Sequence, residues 1–249
     1  MRLPKPNPLH LPLLSPVLLF ALLASAPAAA MPLDTPPQIV AIVDQTPVII
    51  EAPSPFIEVS RVLRDAFAQR SAALASANGN RLLAWLIPAL SLKEQLDTKI
   101  NEKAPRCRTL QVQAVKDMEP VHYDSQSFKT LRVENTRGYA VIAEENADAL
   151  FAMLDLNRLA KAAGGQKILG VAELGVDSFT LCIAIGTEGS DQFGGRDVET
   201  SVTCVTYMLI KGKVILLSVS GPELTAKELR NSMRLSREWI ALLRDHNPR

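Results

Sequence analysis

The sequence predicts an α+β fold, an antiparallel β-sheet flanked by helices in an αβα sandwich, on three observations. Strand-like runs crowd the C-terminal half as "QKILGVAELGV", "SFTLCIAIG", "SVTCVTYMLI" and "KVILLSVSG". Two of them pair well as a hairpin centred near Phe193, a register that sets Phe179 against Tyr207, Thr180 against Thr206 and Leu181 against Val205. After them comes a strongly amphipathic terminal segment, whose apolar stripe must lie against a sheet.

The elements follow in order. Residues 31–55 carry Pro32, Pro36, Pro37, Pro47, Pro53 and Pro55, which interrupt the β-branched runs "QIVAIV" and "PVIIEA". Proline removes a ladder donor, so these predict an extended entry with one or two edge strands. In "SRVLRDAFAQRSAALA" the residues Val62, Leu63, Ala66, Phe67 and Leu74 recur at helical spacing, and "SANGN" ends the helix in a turn. A strand in "RLLAWLIPAL" stops at Pro88, and "SLKEQLD" suits a short helix. "RTLQVQAVKDM" alternates, with Leu110, Val112 and Ala114 opposite Gln111 and Gln113, which predicts a strand with one wet face. "SQSFKTLRVEN" reads as a short helix. "EENADALFAMLDLNRLAKAAGG" reads as a longer one, with Glu144 and Glu145 at its positive end and Lys161, Gly164 and Gly165 closing it. The terminal helix, about 226–245, opens on Thr225 and Glu228 at capping-box spacing, with Leu224 and Leu229 as a hydrophobic staple. Leu229, Met233, Ile240 and Leu243 form its stripe, widened by Leu235, Trp239 and Leu242.

Residues 1–30 have the layout of a secretory signal peptide: Arg2 and Lys5, an apolar stretch from Leu11 to Ala26, then small residues to Ala30. Cleavage after Ala30 is favoured over Ala26, which would leave Pro27 first. The apolar stretch is broken by Pro16 and is shorter than the roughly 20 residues that cross a bilayer. The expected organisation is a leader, 1–30, and a single α/β domain, 31–249, periplasmic or secreted, with no transmembrane segment once the leader is removed. The leader holds two of the 27 basic residues and none of the 26 acidic ones, leaving 25 against 26. That balance argues against nucleic acid as a partner, which calls for a clustered excess of Lys and Arg.

Little chemistry stands out. In the hairpin register Cys182 and Cys204 are opposite one another, each eleven residues from Phe193, within reach of a disulfide. Buried unpaired thiols and a bridge through Cys107 are the alternatives. The three cysteines match no zinc spacing, and the acidic loop "EGSDQFGGRD" lacks the ordered ligands of a calcium loop. Only His122 and His246 lie beyond the leader. "EPVHYDSQS" groups His122 with Tyr123, Asp124, Ser125 and Ser127, the one place for a serine hydrolase, although its plainer reading is a surface turn. The chain has no G-x-S-x-G, H-E-x-x-H, P-loop or G-x-G-x-x-G motif, and no cofactor is expected. On the terminal helix Lys227, Arg230, Arg234, Arg237 and Arg244 share a face. Arg230, Arg234 and Arg237 are its candidate partner-binding residues, against the reading of that face as simply solvated.

"PVIIEAPSPFIEVSRV", "NRLLAWLIP", "KGKVILLSVSG" and the helix ending "WIALLRDHN" together resemble, over about residues 45–247, a group of uncharacterised exported bacterial proteins with a Mog1/PsbP-like α/β sandwich. The resemblance implies that architecture and a non-enzymatic role, since proteins of that fold are mostly adaptors or assembly factors; it carries over no functional residue. The expected function is a non-catalytic binding or assembly protein of the cell envelope with an envelope protein partner. The alternative is a small secreted hydrolase using His122.

Overall fold

The computed structural model describes residues 38–97, 106–154, 165–190 and 196–248. The leader lies outside them, as does the second half of the helix expected over 144–165. The elements are β1 (Ile39–Val43), β2 (Thr46–Ile50), β3 (Phe56–Glu58), α1 (Arg64–Asn78), β4 (Arg81–Pro88), α2 (Ala89–Asp97), β5 (Thr109–Ala114), α3 (Ser125–Thr136), a 3₁₀ turn (Glu144–Asn146), α4 (Ala147–Ala152), β6 (Gln166–Leu174), β7 (Ser178–Ser190), β8 (Arg196–Ile210), β9 (Lys213–Gly221) and α5 (Ala226–His246).

Seven strands form one sheet in the order β3-β4-β5-β9-β8-β7-β6, and every neighbouring pair is antiparallel. Strands alternate their side chains between two faces, and each face is covered. On one face Leu86, Leu110, Val112, Ile215, Leu217 and Val219 meet Leu235, Trp239, Ile240 and Leu243 of α5. The same layer holds Cys182, Ala184, Val202 and Cys204 under Leu229 and Met233 of α5, beside Ala147 of α4. On the other face Phe128 and Leu131 of α3 pack on Phe179, Leu181, Val205 and Tyr207. Leu63 and Leu92, from the start of α1 and from α2, pack on Val59 and Ile87. The α+β class and the helix–sheet–helix layering are therefore as the sequence predicts.

The hairpin register holds residue for residue: Phe179↔Tyr207, Thr180↔Thr206, Leu181↔Val205 and Cys182↔Cys204. The Phe179 and Tyr207 rings stack 4.7 Å apart, and the Thr180 and Thr206 hydroxyls hydrogen-bond at 2.8 Å. Burial pushes the Tyr207 phenol up to about 12. The ladder runs further than expected, to Ser190↔Arg196.

Three expectations need correction. First, β1 and β2 are not edge strands of the main sheet. They form a separate hairpin whose inward residues, Val43, Val48 and Ile50, are buried in the same core as Trp239. The C-terminal end of α5 holds this hairpin. Trp239 Nε1 donates to Glu51 O at 2.9 Å, and the Asn247 amide accepts from Ile49 N at 2.9 Å and donates to Ile49 O at 2.7 Å. A side-chain amide thus takes the place that a neighbouring strand would fill. Second, Gln111 and Gln113 are not wet but buried, at 3% and 1% exposure, because α1 covers their face. Third, the capping box at α5 is half made. Thr225 accepts from Glu228 N at 3.1 Å, but the Glu228 carboxylate turns to Arg108, 2.6 Å away.

Two glycines are required by the backbone. Gly212 (φ +79°) makes the tight β8–β9 turn with Lys211, in the left-handed region that favours glycine, and the His122 ring lies against it. At Gly170 (φ +152°) a Cβ would meet Ala140 O at 2.5 Å. The bare backbone instead lets residues 140–142 lie along β6, with Ile142 N bonded to Val171 O and Val171 N to Ala140 O, both at 2.8 Å. That partly covers one edge of the sheet, which would otherwise present unpaired donors and acceptors.

Asn247→Ala strips partners from both backbone groups of Ile49. Chemical denaturation is expected to show a loss of about 2 kcal/mol, the cost of leaving buried polar groups unpaired. Amide exchange is expected to speed up selectively in β1 and β2.

Candidate functional site

Cys182 and Cys204 sit in the middle of the longest hairpin, fully buried, with Cα atoms 4.0 Å and sulfurs 2.00 Å apart. They are a disulfide-capable pair, brought together by register alone. Cys107 precedes β5 and packs beside Trp85 and Ala66, remote from that pair in the fold.

The arginines of α5 are less alike than their spacing suggests. Arg230 Nη1 is 2.7 Å from Asp148 of α4, Arg237 pairs with Glu144 of the 3₁₀ turn, and Arg234 is 3.8 Å from Glu238 on its own helix. Arg234, 64% exposed, points furthest out. Arg244 does not belong to this face. It turns to the β6–β7 connection, where Nη2 donates to Asp177 Oδ1 at 2.6 Å and to Ser178 Oγ at 2.9 Å. The periodicity placed these residues on the outer side of the helix; it carried no sign of the acids brought over from residues 144–148.

His122 is exposed, with its ring against the Gly212 turn. Two of the neighbours that made it a hydrolase candidate, Asp124 and Ser127, are engaged with each other. Asp124 caps α3, accepting from Ser127 N at 2.7 Å, while Ser127 Oγ accepts from Asp124 N at 2.9 Å and donates to the Asp124 carboxylate at 2.7 Å. These hydrogen bonds from Ser127 hold the Asp124 carboxyl below its ordinary value. Among the described residues, His122 has no hydrogen bond to a serine. The grouping in sequence is thus a helix cap followed by its first turn.

Sequence reasoning missed one polar group. Arg70, on the inner side of α1 between Ala66 and Leu74, stacks its guanidinium carbon 5.2 Å from the centre of the Trp85 ring. Trp85 is paired across the sheet with Gln111. With the Gln111 amide oriented so that its oxygen faces Arg70, it accepts from Arg70 Nε at 2.8 Å and also from Nη2. Gln111, Gln113 and Asn80 then continue as a ladder of amides 3.2 Å apart. Burial pulls the Arg70 guanidinium down to about 10, a shift that a charge on Cys107 partly opposes. The signal for this site was available: Leu63, Ala66, Arg70 and Leu74 follow at three- and four-residue steps, so an arginine occupies a helical position that ordinarily faces the core.

Among the described residues no helix is long and apolar enough to cross a membrane. No family model matches the chain, and no curated protein does. Among solved structures the chain is similar to the Ran-binding protein Mog1p of Saccharomyces cerevisiae, with 13% identity over 83% of this chain and 94% of that one, at a TM-score of 0.35.

Because the folded Asp124 carboxyl lies below the ordinary aspartate value, its contribution to stability is present above about pH 3.9 and disappears as pH falls through the lower folded value. Asp124→Ala is therefore expected to lower Tm at neutral pH. Melting curves of variant and wild type should converge in strong acid.

Proposed function

We propose that this protein is exported, periplasmic or secreted, and serves the cell envelope as a non-catalytic binding or assembly component. The observation that carries the compartment is the buried, opposed Cys182–Cys204 pair in a chain that opens with the layout of a secretory leader. Each signal is independent of the other. Closing that loop stabilises the fold by on the order of 3 kcal/mol, a contribution realised only in an oxidising compartment. The non-catalytic part of the reading is supported by the fate of His122, whose serine and aspartate neighbours are consumed in capping α3.

The proposed docking surface for an envelope protein is the outer side of α5. Arg230, Arg234 and Arg237 line it, together with Asp148 and Glu144 from the preceding segment. It is a mixed strip of charge in which Arg234 reaches furthest. Its internal pairs are solvent-exposed and individually contribute no more than about 1 kcal/mol, so a partner's acids compete with them at little cost.

Two measurements test the proposal. Peptide mapping without reductant, on chain recovered from its native compartment, is expected to find the Cys182 and Cys204 peptides joined; alkylation of both thiols as free groups would sink the export reading. Charge reversal at Arg230, Arg234 and Arg237 together is expected to abolish recovery of the envelope partner while leaving Tm within a few degrees of wild type. Undiminished recovery removes this face as the docking surface.

A further inference from the structure

Hydrogen-bond donors outnumber acceptors where α1 meets β4 and β5. Arg70 brings five N–H groups and no acceptor. Among the described residues its acceptor is the single amide oxygen of Gln111, which takes Nε and Nη2, and no carboxylate stands against the guanidinium. Beneath it the indole of Trp85 has its own Nε1–H buried with no acceptor at all. One helix face further along, Asn78 Nδ2 is also buried and unpaired.

Rotating the amides does not cure the surplus. Arg70 can only donate, so Gln111 must turn its oxygen to it. Its nitrogen then needs the oxygen of Gln113, whose nitrogen needs the oxygen of Asn80. The excess donor is passed along the ladder to Asn80. Folded proteins pair nearly all buried polar groups, so two unmet donors beside a cation that no carboxylate among the described residues opposes leave room for an acceptor with a negative charge. The lowered Arg70 value agrees with a cation whose burial outweighs the support it draws from Cys107.

We propose that the seam between α1 and the β4–β5 pair binds a small monocarboxylate, held by Arg70 with the Trp85 indole N–H as a second donor. A carboxylate supplies two acceptor oxygens, fits the planar guanidinium fork and brings the single negative charge that one cation requires. The guanidinium carbon lies 5.2 Å from the indole centre, so the two donor groups are neighbours. Arg70 and Trp85 each keep part of their surface exposed, although the Trp85 Nε1–H itself is buried, and the fully buried Gln111 and Gln113 floor limits the ligand to a small one. Leu63, Ala66, Ile87 and Leu92 nearby favour a short apolar group on the carboxylate's other end. This site is separate from the outer face of α5, on the opposite side of the sheet, and does not depend on export or on a protein partner.

The two tryptophans make the test internally controlled. Trp239 Nε1 already donates to Glu51 O, so its indole proton has no reason to respond. In nuclear magnetic resonance titrations of the full chain with sodium acetate, against sodium chloride at equal ionic strength, the Trp85 indole N–H resonance is expected to shift saturably while that of Trp239 stays put. Arg70→Leu is expected to abolish the shift. Gln111→Glu, which places a carboxylate against Arg70 from within the chain, is expected to raise Tm in the absence of acetate and to remove the response; it serves if Arg70→Leu does not fold. Butyrate should act at lower concentration than acetate, and inorganic phosphate at higher. A Trp85 resonance that moves no more with acetate than with chloride, an equal response in Gln111→Glu, or phosphate acting more strongly than acetate would overturn the proposal.

Discussion

The burial of Trp239 is the contact on which the rest of the molecule depends. Its indole is fully enclosed among the residues of α5, the sheet face and the β1–β2 hairpin, and its one polar atom is matched to Glu51 O. Aromatic side chains dominate core energetics through area, and a matched N–H removes the cost of burying the polar end. Around it Leu235, Ile240 and Leu243 join α5 to the strands, and Asn247 continues the same seam by pairing with β2. Three layers meet at this line: the hairpin, the helix and the sheet. Each lacks a second apolar surface of its own there, so none buries its core face without the other two.

The two faces of the sheet are held differently. Beneath α5 the contacts are overwhelmingly aliphatic, and among the polar groups that enter, Thr180 and Thr206 satisfy one another across a single strand pair, as the cysteines do, while Ser236 of the helix donates to Ser232 O. Beneath α1 the seam is an arginine, an indole and a run of amides. A helix that rests on such a floor gains little from area alone. Its hold on the sheet comes from Leu63, Ala66 and Leu74 around the polar centre, together with the cation over the Trp85 ring.

Much of this architecture was legible in the residues. The pairing of Cys182 with Cys204 followed from counting, since an antiparallel ladder with one centre leaves no freedom in its partners. The terminal helix was legible because its cap, staple and stripe agree with one another. The errors have physical causes. Alternation in "TLQVQA" separates two faces of a strand but does not say what covers each, and a polar helix surface can bury glutamines as completely as a greasy one buries leucines. The prolines near residues 32–55 correctly argued against a central strand, yet could not distinguish an edge from a detached hairpin, because the decision lies with Trp239 and Asn247 nearly two hundred positions away. Glu228 left its capping role for Arg108, a residue on β5's approach that no local pattern could bring to it.

The contact between Ile49 and Asn247 spans 198 positions, almost the whole described chain. Synthesis proceeds from the N-terminus, so β1 and β2 emerge well before α5 and wait for it before their inner side chains find cover. Until then Val43, Val48 and Ile50 are exposed apolar surface on an isolated two-stranded hairpin, which is marginal by itself in water. The native arrangement is therefore closed at the end rather than built up from the start, and the nascent chain carries a sticky segment throughout its elongation.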